Sequence, residues 1–393
     1  MTGSQSSRIA GLRHFMAPRL DRDQVRRWRE FAETIDWSHY QQDPAWADVE
    51  RRGSGTRSRQ PFFFWSELDG VIALTALGVR RRLPVPARVF WEFSLGPLAS
   101  DGVVLDDWLS WLGSALGREA ARVRVQPAAP LDQGGDDFET LLERQGFVRC
   151  RAMGSWTTLL VDIGRDEDEI LASFRAETRN AIRKSARRGT TVGVENTPEG
   201  WSILSELEDE LERQISIVDR DSGFMARVGR YWLKDGAGTV LVARHDGEPV
   251  AAALVIVWGS TAYLPLLPTS RHHKLPTSHL LVWEAMRWAR QHGCLAFDLV
   301  GYSMMARPGD PSWGINQFKR GFAGIEHLTR SVAIHEKVCS RMVVGSANAV
   351  RWAQLRLRRG EESAPAGRRP ASPAASESTS ATPVSGVGNT HRP

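Results

Sequence analysis

The chain has 393 residues, of which 41% are hydrophobic and 25% charged, and its formal net charge is +5. These fractions are ordinary for a globular protein, and two domains are expected because single cores stop growing near ~250–300 residues. The widely spaced cysteines Cys150, Cys294 and Cys339 argue against a disulfide scaffold or a zinc module and suit a reducing compartment. The mild positive charge permits a phosphate-bearing partner.

Membrane and export signals are not apparent in the sequence. Met1–Arg22 lacks the apolar run of a signal peptide. The longest apolar run, Val250–Trp258, has the length of a strand and falls short of the ~18 residues of a membrane helix. We therefore expect a cytoplasmic protein.

The first half of the chain opens with a predicted β-hairpin, in which Asp69-Gly70 supplies a tight turn between Pro61–Trp65 and Val71–Gly78. The pattern then predicts a strand, a helix, a strand and a helix that runs into Gly-Phe. These segments are Arg88–Ser94, Asp107–Ala120, Arg122–Gln126 and Glu139–Gly146.

The second half begins with two predicted helices, Leu171–Arg188 and Pro198–Ile215. A hairpin follows, with Asp246-Gly247 as its turn. The remaining predicted segments are the strands Thr239–Ala243, Pro249–Trp258, Thr261–Leu267 and Leu295–Val300 and the helices Ser278–His292 and Gln317–Gly321, the last running into Phe322.

The two halves therefore repeat one order of elements. The Asp-Gly turns lie 177 residues apart (246 − 69), and the closing glycines Gly146 and Gly321 lie 175 apart (321 − 146). A fixed offset indicates a duplicated domain. We predict an α/β fold with two tandem domains, at 18–155 and 156–340, each with a mixed sheet, and a cleft for two substrates between them.

The C-terminal part has a different composition. Residues 341–360 form a predicted basic amphipathic helix, which either docks on the body or contacts acidic lipid or RNA. Residues 361–393, rich in Ala, Ser, Pro, Thr and Gly, form a predicted disordered tail because they hold too little apolar surface to fold.

A basic stripe is predicted on the first helix of the second half. Arg175, Arg179, Arg183 and Arg187 recur every four residues. The stripe is either a solvated face with acidic neighbours or a surface for phosphate groups. A second basic pattern, Arg227-x-x-x-Tyr231, would either grip a phosphate or cap a packed helix.

Two further residues suit acyl-transfer chemistry. Asp298 ends an apolar strand just before Gly301, where it would orient or deprotonate an amine, or simply stabilise a turn. Lys319 follows Phe318 on a helix that leads into Gly321, and its ammonium would stabilise an oxyanion, or it is a surface lysine. We expect no cofactor and no metal.

Taken in order, these motifs resemble the Fem family, the aminoacyl-tRNA-dependent aminoacyltransferases of peptidoglycan cross-bridges. The resemblance covers about Gln41–Glu336. It rests on Gln42-Asp43-Pro44-Ala45-Trp46, Leu95-Gly96-Pro97-Leu98, Arg179-x-x-x-Arg183-Lys184, Arg227-x-x-x-Tyr231, Leu281-x-Trp283-Glu284-Ala285-x-x-Trp288-Ala289, Phe297-Asp298-Leu299-x-Gly301 and Phe318-Lys319.

The resemblance implies twin GNAT-like domains that move an aminoacyl group from charged tRNA to a primary amine and form an amide. It places Lys319 near the tRNA acceptor end and assigns the grip on the acceptor's phosphates to Arg227 and Tyr231. Lys319 and Asp298 are then the catalytic candidates. The substrate-binding candidates are Phe318, Arg227, Tyr231, Tyr263, Arg179 and Arg183.

The chain departs from the family in three places. Ala47-Asp48-Val49-Glu50 puts an acid where a relative has a phosphate-binding lysine, Pro265 stands at a family tyrosine, and the coiled-coil arm of some members is absent. The acceptor therefore remains open between a nucleotide- or lipid-linked cell-wall precursor and a specialised-metabolite, antibiotic-like amine. The segment 341–360 adds a candidate peripheral membrane contact.

Two other functions remain to be weighed. The first is a CoA-dependent GNAT N-acyltransferase, which needs a glycine-rich phosphate loop, whereas Pro268–Pro276 has no glycine. The second is a non-catalytic binding protein that keeps the fold, against which the retained Lys319 argues.

Overall fold

The computed structural model describes residues 9–51, 58–85, 87–128, 136–150, 155–215, 228–229, 236–270, 275–323 and 328–339. All of them belong to one compact unit, Met1–Asn348. Four predicted features lie outside the described residues: the helix at 341–360, the tail at 361–393, Arg227 and Tyr231.

The first half contains seven strands and four helices among its described residues. The strands are β1 Leu12–Ala17, β2 Arg59–Leu68, β3 Val71–Arg82, β4 Val89–Ser94, β5 Leu98–Ala99, β6 Ala120–Gln126 and β7 Val148–Arg149. The helices are α1 Arg22–Glu33, α2 Trp46–Glu50, α3 Gly102–Ala115 and α4 Asp136–Arg144, and a 3-10 turn spans Tyr40–Gln42.

The second half repeats this alternation. Its strands are β8 Ser155–Asp162, β9 Thr191–Val194, β10 Gly238–His245, β11 Glu248–Trp258, β12 Thr261–Leu266, β13 Ala296–Asp298, β14 Leu328–Ala333 and β15 His335–Val338. Its helices are α5 Glu167–Ser173, α6 Ala176–Arg187, α7 Pro198–Ile215, α8 Thr277–Gln291 and α9 Pro311–Ala323.

The two sheets have equivalent strand orders. The first runs β1-β2-β3-β4-β6-β15-β7, with β5 beside β3, and the second runs β9-β10-β11-β12-β13-β8-β14. In each sheet one pair is parallel, β4 with β6 and β12 with β13, while the other pairs are antiparallel. The predicted α/β fold with two tandem domains and mixed sheets is confirmed.

One strand of the second half, β15, belongs to the first sheet. β15, near the end of the described chain, inserts between β6 and β7 of the first sheet, and β8 lies between β13 and β14 of the second. Glu336 of β15 forms ion pairs with Arg122 and Arg124 of β6, which fixes the strand on the first sheet. The predicted ranges 18–155 and 156–340 need correction at β15 and at β1, because both strands belong to the first sheet although neither lies within 18–155.

Turn chemistry accounts for the hairpins that the sequence predicts. Asp69 and Gly70 have φ of 50° and 85°, and Asp246 and Gly247 have φ of 51° and 83°. Consecutive positive φ values are the geometry of a tight hairpin turn, which Asp-Gly adopts at low cost.

Helix α3 begins five residues before its predicted start. The prediction from Asp107 to Ala120 missed the cap, since the side chain of Asp101 accepts hydrogen bonds from the backbone N–H groups of Val103 and Val104. An aspartate in this position satisfies donors that have no partner within the helix.

The predicted single helix Leu171–Arg188 is wrong, because it is broken into α5 and α6. Phe174 is extended, with φ −70° and ψ 154°, and packs its ring 5.6 Å from Trp283 and 5.2 Å from Phe322. The backbone N–H of Arg175 donates to the carbonyl of Gly321 at 2.9 Å instead of continuing a helix. Tertiary packing thus overrides helix propensity, and Arg175 becomes the N-cap residue of α6.

One apolar core spans the two halves. It joins Tyr40 and Trp46 of the first half to Leu204, Leu254 and Tyr263 of the second. The Trp258 indole N–H also donates to the Ser38 hydroxyl at 2.9 Å across this junction. The opposite face of the second sheet packs against α6, α8 and α9.

We predict that a truncation that removes β15 strongly destabilises the fold, whereas truncation of the tail does not. A chain ending at Gly360 should keep its melting temperature and turnover, because residues 361–393 hold too little apolar surface to pack on the body. A chain ending at Ile334 lacks β15 and should lose about 3 kcal/mol or more of unfolding free energy.

Thermal and urea unfolding of the two truncated chains, measured beside the full chain, tests this. Equal stability of all three chains would contradict the structural role of β15. A large loss on removing 361–393 alone would show that the tail contributes to the folded body.

Candidate functional site

The second sheet opens where its parallel strands end. β12 and β13 pair only from Thr261 with Ala296 to Tyr263 with Asp298. β13 stops there, while β12 continues to Leu266 and its pairing with β11 shifts register. Pro265 lies in the unpaired part of β12 and has no N–H to donate. A gap at the carboxyl ends of parallel strands is a common place for ligands.

The equivalent region of the first sheet is closed. β4 stays paired with β6 as far as Ser94 with Gln126. The buried Gln42 side chain then bridges β3 and β4, because its amide N–H donates to Ser94 O at 2.6 Å and its oxygen accepts from Leu77 N at 2.9 Å. A Cβ on Gly96 would lie 2.6 Å from the Gln42 amide carbon, so a larger residue there would displace the Gln42 side chain from this bridge.

Asp298 is the acidic residue at the open end of β13. It is 0% exposed, and its Oδ1 accepts hydrogen bonds from the Thr158 hydroxyl and from Val300 N, the latter at 2.7 Å. A buried carboxylate is costly unless it is hydrogen-bonded and faces a cation. The hydrogen bond from Val300 N also makes Asp298 a turn-stabilising residue, which was one of the two roles considered for it from the sequence.

An aromatic wall from the first domain faces this carboxylate. The rings of Tyr40 and His39 lie 5.0 Å and 4.7 Å from the ring of Tyr263, which pairs with Asp298 across the strands. Burial and then the negative charge of Asp298 raise the pKa of the Tyr40 hydroxyl, which stays protonated at neutral pH. Sequence reasoning missed Tyr40, although it comes just before the Gln42-Asp43-Pro44 motif.

Lys319 of α9 supplies the cation. Its Nζ donates to the carbonyls of Val300 and Gly301, the latter at 2.7 Å. Burial lowers the pKa of Lys319 to about 8, and the opposing effect of Asp298 keeps it from falling further. The group is therefore mainly an ammonium at neutral pH. Two of its three N–H groups donate to loop carbonyls, and the third can donate to a substrate.

The loop that contacts Lys319 is held on α9 at several points. The side-chain amide of Asn316 accepts from Ser303 N at 3.2 Å and donates to Ser303 O at 2.7 Å. The guanidinium of Arg320 lies 5.4 Å from the centre of the Tyr302 ring. The positive φ of Val300, 42°, and of Gly301, 64°, turns both carbonyls into reach of the lysine.

The structure therefore brings together Lys319, Asp298 and Tyr263. Phe318, expected to bind substrate, instead packs its ring 4.8 Å from His279 and 5.2 Å from Phe322 in the second-domain core. These contacts favour a packing role for Phe318.

The two stripe arginines that were expected to bind substrate, Arg179 and Arg183, differ in their surroundings. Arg179 donates from Nη1 to the carbonyls of Ala172 and Phe174 at the end of α5, so it stabilises the break between the helices. Arg183 is exposed. A Cβ on Gly321 would lie 2.2 Å from the Thr178 hydroxyl, which shows how closely α6 approaches α9.

Within the described residues, no helix is long and apolar enough to cross a bilayer. The same part of the chain contains no group of three or more His, Cys, Asp or Glu side chains placed to hold a metal ion.

The Asp298–Lys319 pair generates a prediction about proton affinity. Asp298→Asn should lower the pKa of Lys319 below about 8, because it removes the negative charge that favours the ammonium. The measurement is the rate at which an amine-reactive reagent labels Lys319 as a function of pH, read by mass spectrometry of the peptide. The exposed Lys184 is the internal control, and an unchanged Lys319 titration would contradict the electrostatic coupling.

Both the sequence and the fold are similar to those of known proteins. The model of an acetyltransferase (GNAT) domain matches residues 172–320. A lipid II:glycine glycyltransferase from Staphylococcus haemolyticus is 21% identical over 278 residues, which are 52% of this chain and 66% of that protein. The match thus spans just under two thirds of the relative's length.

Solved structures share the fold. The crystal structure of FemX has a TM-score of 0.71 and 16% identity, covering 81% of this chain and 97% of FemX. The C-terminal domain of a putative lysylphosphatidylglycerol synthetase from Agrobacterium fabrum has a TM-score of 0.53 and 17% identity, covering 84% and 97%.

These likenesses agree with the two mixed sheets of the fold. The resemblance inferred from the motifs is confirmed as a similarity: a GNAT domain matches residues 172–320, the sequence is similar to a lipid II:glycine glycyltransferase, and the two-domain fold is similar to that of FemX.

Proposed function

We propose that the protein transfers an aminoacyl group from charged tRNA to a primary amine of a lipid-linked cell-wall precursor in the cytoplasm and forms an amide bond. The observation that carries the proposal is the Lys319 ammonium held near Asp298 at the open end of β12 and β13. A fixed cation there suits a reaction in which a carbonyl oxygen gains negative charge.

The reaction needs the protein mainly to align the two substrates and to stabilise the negative charge that forms on the carbonyl oxygen. The acceptor amine attacks the ester carbonyl of the aminoacyl-tRNA, and the carbonyl oxygen becomes an oxyanion that the remaining N–H of Lys319 stabilises. The attacking nitrogen loses a proton, the C–O ester bond breaks, and the ribose oxygen leaves and is protonated. Asp298 orients the amine and favours its cationic form after attack.

An RNA-borne donor is supported by charge. Arg183, Lys184 and Arg187 are exposed on α6. Helix α6 contacts α9, which carries Lys319, through the bond from Arg175 N to Gly321 O. Phosphate groups along this face would relieve the repulsion between the arginines. The loop after β12 lacks the glycines with which an acyl-CoA site approaches pyrophosphate, which weighs against the CoA-dependent alternative.

A lipid-linked acceptor is supported by the names of two similar proteins, a lipid II:glycine glycyltransferase and a putative lysylphosphatidylglycerol synthetase. The acidic residues after Trp46, where a relative has a phosphate-binding lysine, leave a nucleotide-linked acceptor less favoured. The acceptor to test beside the lipid-linked precursor is a specialised-metabolite amine, as in antibiotic biosynthesis.

We predict that Lys319 is the most sensitive side chain for the chemical step. Lys319→Ala should lower the single-turnover rate with preloaded tRNA by about 10²–10³, because an oxyanion donor is removed. Lys319→Arg should recover part of that rate, since the guanidinium keeps the charge in a larger, planar group. Rates within about threefold of the parent would contradict the catalytic role, provided that both variants melt at the parent temperature.

The pKa of Lys319 makes a second prediction. If the ammonium is required, the ratio of the parent rate to the Lys319→Arg rate should fall about tenfold from pH 7 to pH 9, since the lysine loses its proton near pH 8 and arginine does not. Using the ratio cancels the titration of the acceptor amine and the hydrolysis of the tRNA ester. A ratio that rises with pH would instead assign a neutral, proton-accepting Lys319.

The exposed arginines of α6 test the donor. Arg183→Gln should weaken charged-tRNA binding several-fold and reduce its salt dependence, as loss of one phosphate contact does. Arg118→Gln, which changes an exposed arginine of the first domain, is the matched control and should leave both unchanged. Affinity for tRNA that does not vary with salt, or binding of acyl-CoA alone, would contradict an RNA-borne donor.

A further inference from the structure

Three large apolar side chains project into solvent beside the Lys319 site. Met304 and Met305 are 63% and 75% exposed in the loop after β13, and Ile315 is 51% exposed on α9. We call these three residues the methionine lip. Apart from them, the exposed large apolar residues of the described chain come singly in sequence: Val71, Val103, Val148, Val194, Leu295 and Val338.

The exposure of the lip does not come from a loose loop. Ser303, next to Met304, forms two hydrogen bonds with the Asn316 side chain, next to Ile315. On the other side, Arg307 N donates to the Asp310 carboxylate at 2.7 Å and Trp313 N donates to Asp310 O at 2.9 Å. The fold thus fixes the loop with its methionines outward, and a fixed apolar surface of this kind usually meets a partner.

The lip adjoins the proposed transfer centre. Ile315 lies one helical turn before Lys319, so both side chains emerge on the same side of α9. The loop itself begins at Gly301, whose carbonyl accepts from Lys319 Nζ. Whatever covers the lip therefore lies beside the helix and the loop that hold Lys319.

We propose that the methionine lip inserts into the interfacial layer of an anionic phospholipid bilayer and brings the Lys319 site to the head group of a membrane-held acceptor. The delivery of the Lys319 site to the acceptor rests on the proposed function, whereas the insertion of the lip into the bilayer does not. Apart from Lys319, which is bonded to the loop, the segment from Gly301 to Ala323 has the basic residues Arg307 and Arg320 and the acidic residue Asp310, and this small positive excess suits a negatively charged surface.

The residue types favour lipid over RNA. Single-stranded RNA is bound by aromatic or guanidinium planes on which bases stack. Methionine and isoleucine, which form the lip, offer no such plane, whereas exposed, flexible apolar side chains are suited to entering the bilayer interface.

The test is co-flotation of the full chain with vesicles of phosphatidylcholine containing about 30% phosphatidylglycerol, a charge density that attracts basic segments. The double change Met304→Ser and Met305→Ser should weaken vesicle binding about tenfold, because the inserting groups are lost. Val103→Ser, at a valine 68% exposed on α3 of the first domain, is the matched control and should bind as the parent does. Both variants keep residues 340–393, so any contribution of that segment is common to them.

The results separate this proposal from the proposed function. If the double variant binds vesicles as well as the parent, or if the parent does not bind, the membrane role of the lip is wrong. If its tRNA affinity falls instead, the lip is an RNA surface. Turnover with a water-soluble amine should be unchanged in the double variant, while turnover with a vesicle-embedded acceptor should fall. Complete inactivity of the parent with both acceptors would contradict the proposed function and leave the vesicle result standing.

Discussion

The buried carboxylate of Asp298 is the constraint around which the site is arranged. A carboxylate with no exposure is tolerated only where hydrogen bonds and a cation offset its lost hydration. Thr158 and Val300 N supply the bonds, and Lys319 supplies the charge. The lysine is itself half buried and donates to the carbonyls of Val300 and Gly301, so the loop after Asp298 is fixed to helix α9.

This arrangement also explains why the two repeats differ. Both sheets contain one parallel pair, and both chain segments after it turn into a helix. In the first repeat the strands stay paired and Gln42 fills the separation between β3 and β4. In the second repeat the pairing ends at Asp298. Duplication thus produced one closed sheet that supports the fold and one open sheet suited to a reaction.

Much of the fold was predictable because its signals are local. Asp-Gly pairs fix the two hairpins through their positive φ values, and the repeat of turns and helices gave the duplication. The break between α5 and α6 was not predictable, because it depends on Phe174 packing against Trp283 and Phe322, which are distant in sequence. The pairing of β15 with the first sheet is likewise a choice of partner strand, on which the local sequence pattern carries no information.

The residues of the candidate site were likewise only partly predictable from the sequence. The order of motifs identified Asp298 and Lys319 as candidates, and the fold places them together. The motifs could not reveal that Phe318 packs into the core or that Arg179 caps α5, because both roles depend on contacts with residues that only folding brings close. Tyr40 was missed because a single tyrosine before a turn has no distinctive sequence pattern.

The central claim, aminoacyl transfer from tRNA, is tested most directly by identifying the donor. The purified full chain would be incubated with charged tRNA or acyl-CoA, each with a lipid-linked precursor bearing a free amine, and the acceptor read by mass spectrometry. The account predicts an acceptor heavier by one amino-acid residue with charged tRNA, and no such product when the tRNA is deacylated first. Acyl transfer from CoA alone, or no transfer from any charged tRNA, would contradict it.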